Sequence, residues 1–389
     1  MHKLKINDTK NKIIIFTANS SWYIYNFKLS LINLLISKGF KIYVISPIDE
    51  YTNKLKNQKI NHLKWDSKSD SINLISEIKS IINLYKIYKE INPNLVHHFT
   101  IKCVLYGTII CKFLKIKNIY NSITGLGNLF LRHQLKFKIL FYLIFPFYKL
   151  ILKNSKSTFI FQNDADKKYF EKLNIVNPDN SILIRGSGVD TEFFNNHENN
   201  NTFPRDEFWK ILFPGRIIKE KGIDELLIAC DSLWHKNLKF KLYIAGKLVL
   251  PKNKKNAQKI INKINSLPYL EEISFKQNMK RIYKKIDIVV LPSWREGLSK
   301  ALLEAASMSL PIVTSDVPGC RDVVIHGITG LLVKKKDPIA IENAIELLIK
   351  NPELCSRLGS NARAYVIKNF KDKLINDITY NAYLKSLTL

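Results

Sequence analysis

Acidic residues are scarce in this chain of 389 residues: 33 Asp and Glu stand against 61 Lys and Arg, a formal net charge of +28. Cysteine is scarcer still. Cys103, Cys111, Cys230, Cys320 and Cys355 are odd in number and scattered, with no C-x-x-C pair. That pattern argues against both a disulfide framework and a zinc site, and it fits a reducing compartment. Long apolar runs are missing too. The longest uncharged one, Ile139 to Tyr148, is broken by Pro146, whereas a spanning helix needs ~20 apolar residues. Ile13 to Phe16 is too short for the core of a secretory signal and reads as a first strand. The expectation is a cytoplasmic protein that does not cross a bilayer. The basic excess should draw it to anionic lipid or phosphorylated substrates, although over-use of Lys, Asn and Ile, as from an AT-rich genome, supplies part of that charge. With no helix-turn-helix, RNA-recognition or zinc signature, nucleic acid is not expected as a partner.

The apolar material that is present, 46% of residues, falls into short runs alternating with helical patterns. KIIIF (12–16), KIYVIS (41–46), NLVHHF (94–99), NIYNSIT (118–124), STFIFQ (157–162) and SILIRG (181–186) read as buried strands. Helical patterns over Phe27 to Lys38 and Ile72 to Glu90 lie between the first of them. After an Asn-rich stretch the alternation restarts with KILFPG (210–215), KFKLYIAG (239–246), DIVVLPS (287–293), a helix near Lys300 to Ser307, and PIVTSD (311–316). Strands and helices alternating at these lengths mean βαβ units and parallel sheets. The fold class is therefore α/β, two doubly wound Rossmann-like domains facing across a cleft. The boundaries read as 1–194 for the first domain, 195–208 for a linker and 209–371 for the second. One amphipathic helix over 372–389 crosses back to the first.

Chemistry concentrates in LPSWREGLSKALLEAASMSLPIVTSDVPG (291–319). A strand ends at Pro292 and Ser293, a short loop presents Glu296 and Gly297, and a helix starts near Ser299. Gly297 lets backbone approach a ligand, while the amides of Leu298 and Ser299 at a helix start suit a diphosphate. Glu296 and Glu304 are carboxylates suited to vicinal hydroxyls. Two Glu at this spacing would ordinarily be a solvated helix face; the strand-to-helix turn with Gly directly after the first Glu favours a site. In PGRIIKEKG (214–222), after the first strand of the second domain, Gly215, Arg216 and Lys221 offer a cationic clamp on leaving-group charge.

These stretches resemble the signature of family-4 retaining glycosyltransferases of the GT-B fold, whose E-x7-E motif spans Glu296 to Glu304. VPGCRDVVIHGITGLLV (317–333) resembles the segment that follows it. NSSWYIYNFKLSL (19–31), IDEY (48–51), VHHFTIK (96–102), NSITGLG (121–127), FQN (161–163) and GSGVD (186–190) resemble one branch of that family. The branch includes bacterial enzymes that add N-acetylhexosamines to polyprenol-diphosphate-linked sugars. The resemblance implies a UDP-sugar donor, no metal or other cofactor, and a polyprenol-diphosphate-linked acceptor met at the cytoplasmic face of the inner membrane. Products would be surface polysaccharides such as lipopolysaccharide or capsule. It implies that Glu296 meets the donor sugar and Glu304 the ribose, with Arg216 and Lys221 at the diphosphate and Ser293, Gly215, Gly297, Leu298 and Ser299 lining the donor site. The acceptor falls to the first domain.

This chain departs from the family in two places. Where many members carry H-x-H it has His97, His98 and Phe99, so both His97 and His98 stand as candidates near the transferred sugar. Where relatives have a glycine-rich turn it has Asn19, Ser20, Ser21 and Trp22, candidates for acceptor contact. Asp190 either belongs to an interdomain motif or caps a turn. Leu129 to Lys156, with Arg132, Lys136, Lys138, Lys149, Lys153 and Lys156 among aromatics, suits an anionic membrane surface. No carboxylate is placed as a nucleophile beneath the anomeric carbon, so front-face attack is expected. A nucleotide-sugar epimerase on a similar scaffold and a basic nucleic-acid-binding protein are the alternative readings.

Overall fold

Runs of Ile, Val and Phe, buried on both faces, build two parallel sheets. The computed structural model describes residues 11–67, 73–124, 146, 149–153, 155–196, 203–204, 206–246, 266–273 and 278–388. Its chain divides into two compact units, residues 1–187 with 373–389, and residues 188–372.

Unit 1 contains β1 (Ile13–Thr17), β2 (Lys41–Ser46), β3 (Asn61–Lys64), β4 (Leu95–Phe99), β5 (Asn118–Ile123), β6 (Thr158–Phe161) and β7 (Ser181–Leu183). Among the described residues they form one sheet in the order β3-β2-β1-β4-β5-β6-β7. All pairs are parallel; Ile14, for instance, lies between Ile42 and Leu95. Helices α1 (Ser21–Ser37), α2 (Thr52–Asn57), α3 (Leu74–Ile91), α4 (Ile101–Phe113) and α5 (Asp164–Lys172) link the strands. Ser20 caps α1 by accepting from the Tyr23 amide, and Asn73 caps α3. These caps fix where each helix starts.

Unit 2 contains β8 (Trp209–Phe213), β9 (Phe240–Ala245), β10 (Leu270–Ile273), β11 (Ile288–Leu291), β12 (Ile312–Ser315) and β13 (Leu331–Val333), in the order β10-β9-β8-β11-β12-β13. Helices α6 (Ile223–His235), α7 (Met279–Tyr283), α8 (Lys300–Ser307), α9 (Pro338–Lys350) and α10 (Pro352–Phe370) accompany them. The Asn-rich stretch is flanked by Phe194 and Phe203, both of which enter this unit's core; residues 197–202 and 205 lie outside the described residues. The last helix, α11 (Asp372–Leu387), packs on unit 1: Tyr120 Oη donates to the Ala382 carbonyl at 2.5 Å, and Asn376 to Ser30 Oγ at 2.8 Å.

The centre of unit 1 is polar as well as apolar. His98 is fully buried, and Asn121 Nδ2 donates to Thr108 Oγ1 at 3.0 Å. Asn121 Oδ1 is thereby left to accept from His98 Nδ1 at 2.7 Å. With its proton on Nδ1, the ring accepts at Nε2 from Tyr88 Oη at 3.1 Å, and the tyrosine oxygen accepts from Thr17 Oγ1 at 2.5 Å. His97, also fully buried, pairs through Nδ1 with Tyr383 Oη of α11 and through Nε2 with Ser122 Oγ at 2.7 Å. Gly107 leaves room for this packing, since a Cβ there would strike the His98 ring. For His97 and His98, the candidates near the transferred sugar, all four ring nitrogens are engaged inside unit 1. An adjacent pair on a strand points to opposite faces, and with both faces of this sheet covered, both rings are enclosed.

Burial pushes His98 down to about 4 and His97 well below the usual imidazole range. Both groups are therefore neutral in the fold, while the unfolded chain binds protons as pH falls below 6.5. The stability they contribute is present above that pH and lost towards pH 4, about 3 kcal/mol from His98 alone. Urea denaturation followed between pH 7 and pH 4 should show this loss, and His98→Gln should flatten the slope.

Candidate functional site

In an open α/β sheet, ligands bind outside the carboxyl ends of the strands where the strand order reverses. In unit 2 that reversal lies between β8 and β11. After β8 the chain passes Gly215, packed so closely on Gly246 that a Cβ on the latter would strike the Gly215 carbonyl. Arg216 follows with its side chain exposed. A 3₁₀ turn, Lys219–Lys221, then ends on Gly222 at φ +75°, where a Cβ would strike the Pro292 carbonyl. Only glycine combines that backbone angle with such an approach. The turn is thus pressed against the loop that follows β11.

That contact brings the charged groups together. Lys221 Nζ forms an ion pair with Glu296 Oε1, and Ser293 Oγ donates to the same oxygen at 2.7 Å. Their side chains are 19% and 12% exposed, lysine and glutamate respectively. A third loop, after β12, closes on the second: Gly319, at φ +79°, has room for no Cβ, which would lie 2.6 Å from the Glu296 carbonyl oxygen.

Ser299 differs from expectation. Its amide donates to the Gly319 carbonyl at 3.4 Å, because the glycine turn comes so close. Among the described residues no acceptor takes the Leu298 amide. Glu304 lies on α8, where Tyr283 Oη donates to it at 3.4 Å and to the Ala301 carbonyl at 3.1 Å. Burial raises the Glu304 carboxyl above the usual range, with Lys300 and the tyrosine bond opposing. The structure therefore joins Lys221, Glu296 and Ser293 in direct contact. Arg216, Gly215 and Glu304 occupy neighbouring elements without bonds to that trio.

One residue of this region escapes the sequence reading. The Trp294 amide donates to the Glu220 carbonyl at 2.9 Å, and its indole Nε1 donates to Glu225 Oε1 of α6 at 3.1 Å. Lys336, from the loop after β13, holds its Nζ 4.0 Å over the ring, and Lys219 lies at 5.8 Å. Trp294 thus clips the 3₁₀ turn to the loop carrying Glu296. A tryptophan between two polar residues in a strand-to-helix loop is the signal that could have revealed it.

In unit 1, Ser21 is buried and bonded to Ser46 at 2.8 Å, Thr52 at 2.9 Å and His62 at 3.2 Å. Ser20 caps α1 and is half-buried, as is Asn19, and Trp22 is 37% exposed. Asp190 caps a turn, accepting from the amides of Glu192 at 3.1 Å and Phe193 at 2.8 Å. Arg132, Lys136 and Lys138 lie outside the described residues. No described helix is long and apolar enough to cross a membrane.

The fold of two parallel α/β units is shared with solved structures. Anabaena HepE in complex with UDP and glucose superposes with a TM-score of 0.78 at 14% identity, covering 96% of this chain and all of that one. The model of the glycosyl transferases group 1 family matches residues 194–365, and that of the glycosyl transferase 4-like family residues 12–163. An uncharacterized glycosyltransferase of Methanocaldococcus jannaschii is 30% identical over 76% of this chain and 75% of its own length. The chain belongs to the group 1 glycosyltransferases of the GT-B fold. It is also 26% identical, over 89% of its length and 92% of the relative's, to the N,N'-diacetylbacillosaminyl-diphospho-undecaprenol alpha-1,3-N-acetylgalactosaminyltransferase of Campylobacter jejuni. The epimerase and nucleic-acid readings give way to this assignment.

Removing the indole clip should loosen the 3₁₀ turn before anything else. In Trp294→Ala, hydrogen exchange at the Lys221 and Gly222 amides should accelerate about tenfold, the equivalent of one hydrogen bond and one cation–π contact. Mass spectrometry of peptides spanning 216–222 and 293–298 measures it; exchange in α9 should not change.

Proposed function

We propose that this chain transfers a sugar, an N-acetylhexosamine, from a UDP-sugar to a polyprenol-diphosphate-linked saccharide with retention at the anomeric carbon and without a metal ion. The observation that carries the reading is the Lys221–Glu296 pair at the β8–β11 switch point, held by Gly222 against Pro292. The names of the Campylobacter relative and the HepE complex support the choice of acceptor and donor class.

A donor diphosphate beside Lys221 and Arg216 draws the Lys221 ammonium away from Glu296. The carboxylate is then released to accept hydrogen bonds from hydroxyls of the donor sugar, and Glu304 serves those of the ribose. The Leu298 amide at the start of α8 gives the phosphates a further donor. The acceptor hydroxyl attacks the anomeric carbon on the face that the diphosphate leaves. Its proton passes to the departing phosphate oxygen as the bond from sugar to phosphate breaks, so UDP carries away the proton and the electron pair. Arg216 and Lys221 offset the charge developing on that oxygen, the role a metal ion fills elsewhere. The enzyme works on the cytoplasmic face of the inner membrane as a peripheral protein, in assembly of a surface polysaccharide such as lipopolysaccharide or capsule.

The test is release of UDP from UDP-N-acetylhexosamines in EDTA, with and without a polyprenol-diphosphate-linked saccharide. Acceptor-dependent release is expected, with kcat at least about 100-fold lower in Glu296→Ala and in Lys221→Ala. Absence of both turnover and UDP binding in the wild-type chain overturns the reading.

A further inference from the structure

Helix α3 is apolar on two sides, though the core needs only one. Its inner side carries Ser80, Leu84 and Tyr88, all buried, and Trp65 Nε1 donates to the Ser80 carbonyl at 3.0 Å. Its outer side carries Ile75, Ile78 and Ile82, which are 66%, 49% and 49% exposed. Steps of three and four residues align these isoleucines in one stripe. Lys79, Lys86 and Lys89 are exposed on the same side, turned within half a circle of the stripe. Acidic balance is slight. Glu90 is exposed beside them, but Glu77 is held by Lys102 at 2.8 Å and by Tyr106 at 2.5 Å.

We infer that the outer face of α3 is a docking surface for an anionic lipid bilayer, the helix lying flat with its isoleucines among the acyl chains and its lysines at the phosphates. The stripe is too narrow for a protein core, but a single row of aliphatics flanked by cations is what an interfacial helix presents. The lysine stems run along apolar surface while their ammonium groups stay in water. Charge selects the occupant. Three lysines against Glu90 repel a second copy of the same face, and a nucleic acid offers the isoleucines nothing to bury against. Each lysine near an anionic leaflet strengthens partition about fivefold, so three supply about a hundredfold. The inference rests on the proposed lipid-linked acceptor only for its purpose, and it locates the contact on α3, outside the aromatic and basic stretch at Leu129 to Lys156.

Co-sedimentation of the full chain with phosphatidylcholine vesicles, with and without phosphatidylglycerol, tests it. The wild type should bind only the anionic vesicles, and salt should weaken binding. Ile78→Ser with Ile82→Ser should lower partition about tenfold, and Lys79→Ala with Lys86→Ala and Lys89→Ala about a hundredfold, removing most of the salt dependence. Thermal melting should not change, because every substituted side chain is exposed. Wild-type binding that both variants retain places the membrane contact elsewhere and overturns the proposal while leaving the lipid-linked acceptor standing. Wild-type binding to neither vesicle overturns it as well, and UDP release with a water-soluble acceptor then judges the transferase reading by itself. A change of oligomeric state in the isoleucine variant without vesicles makes the stripe a protein contact and also overturns it.

Discussion

The site in unit 2 depends on one steric fact: at Gly222 there is no side chain, so the 3₁₀ turn can rest on the Pro292 carbonyl. Everything charged follows from that approach. Lys221 meets Glu296 because the turn is close enough, and Trp294 can reach back to Glu220 and Glu225 for the same reason. Gly319 repeats the device one loop further on, bringing the β12 loop against the Glu296 backbone. Strand order puts these loops side by side, and glycine lets them touch. A Cβ at either position would force the loops apart.

The two units treat their switch points in opposite ways. In unit 1, between β1 and β4, the polar groups are neutral, buried and saturated: Thr17, Tyr88, His98 and Asn121 form a closed chain, and His97 is tied to Tyr383. Burial holds both imidazoles uncharged. In unit 2 the corresponding loops carry an ammonium, a carboxylate and an exposed guanidinium. Among the described residues the charged contact of Lys221 with Glu296 lies in unit 2, whereas the buried polar chain at the unit 1 switch point is neutral. Helix α11 adds to that network, since Tyr383 meets His97 Nδ1 while Ser122 of the neighbouring strand meets Nε2.

Most interior strands could be read from the chain because they are buried on both faces and appear as continuous apolar runs, such as IVVL in β11 and IIIF in β1. The strands that escaped reading are edges. β3, β10 and β13 each end a sheet; NHLK and LEEI are polar, and LLV is only three residues long. A half-solvated strand has no run to show. Helix α1 begins at Ser21 rather than near Phe27 because a side-chain cap, which apolar periodicity does not register, decides the start. Within the site, Glu296, Lys221 and Ser293 were legible from their places at strand ends. Their mutual contact was not, since it depends on a close approach of two loops 75 residues apart in sequence. The same blindness hid Trp294 and the partners of the four histidine nitrogens.

Stability alone does not account for the Lys221–Glu296 pair. A pair so little exposed gives up much of its hydration, and replacing such pairs with apolar groups is often neutral or favourable. Ser293 adds a hydrogen bond to the carboxylate, yet that only lessens the cost. The pair makes chemical sense as a resting arrangement. Each charge is held in place by the other until a ligand carrying both phosphates and hydroxyls replaces the two at once. Phosphate without hydroxyls would take Lys221 and leave Glu296 unpaired among low-dielectric walls. A neutral sugar alone would have to compete with the ammonium for the carboxylate. On the proposed function, a molecule with both parts compensates both groups, so the ion pair would favour a sugar joined to a diphosphate over either part alone.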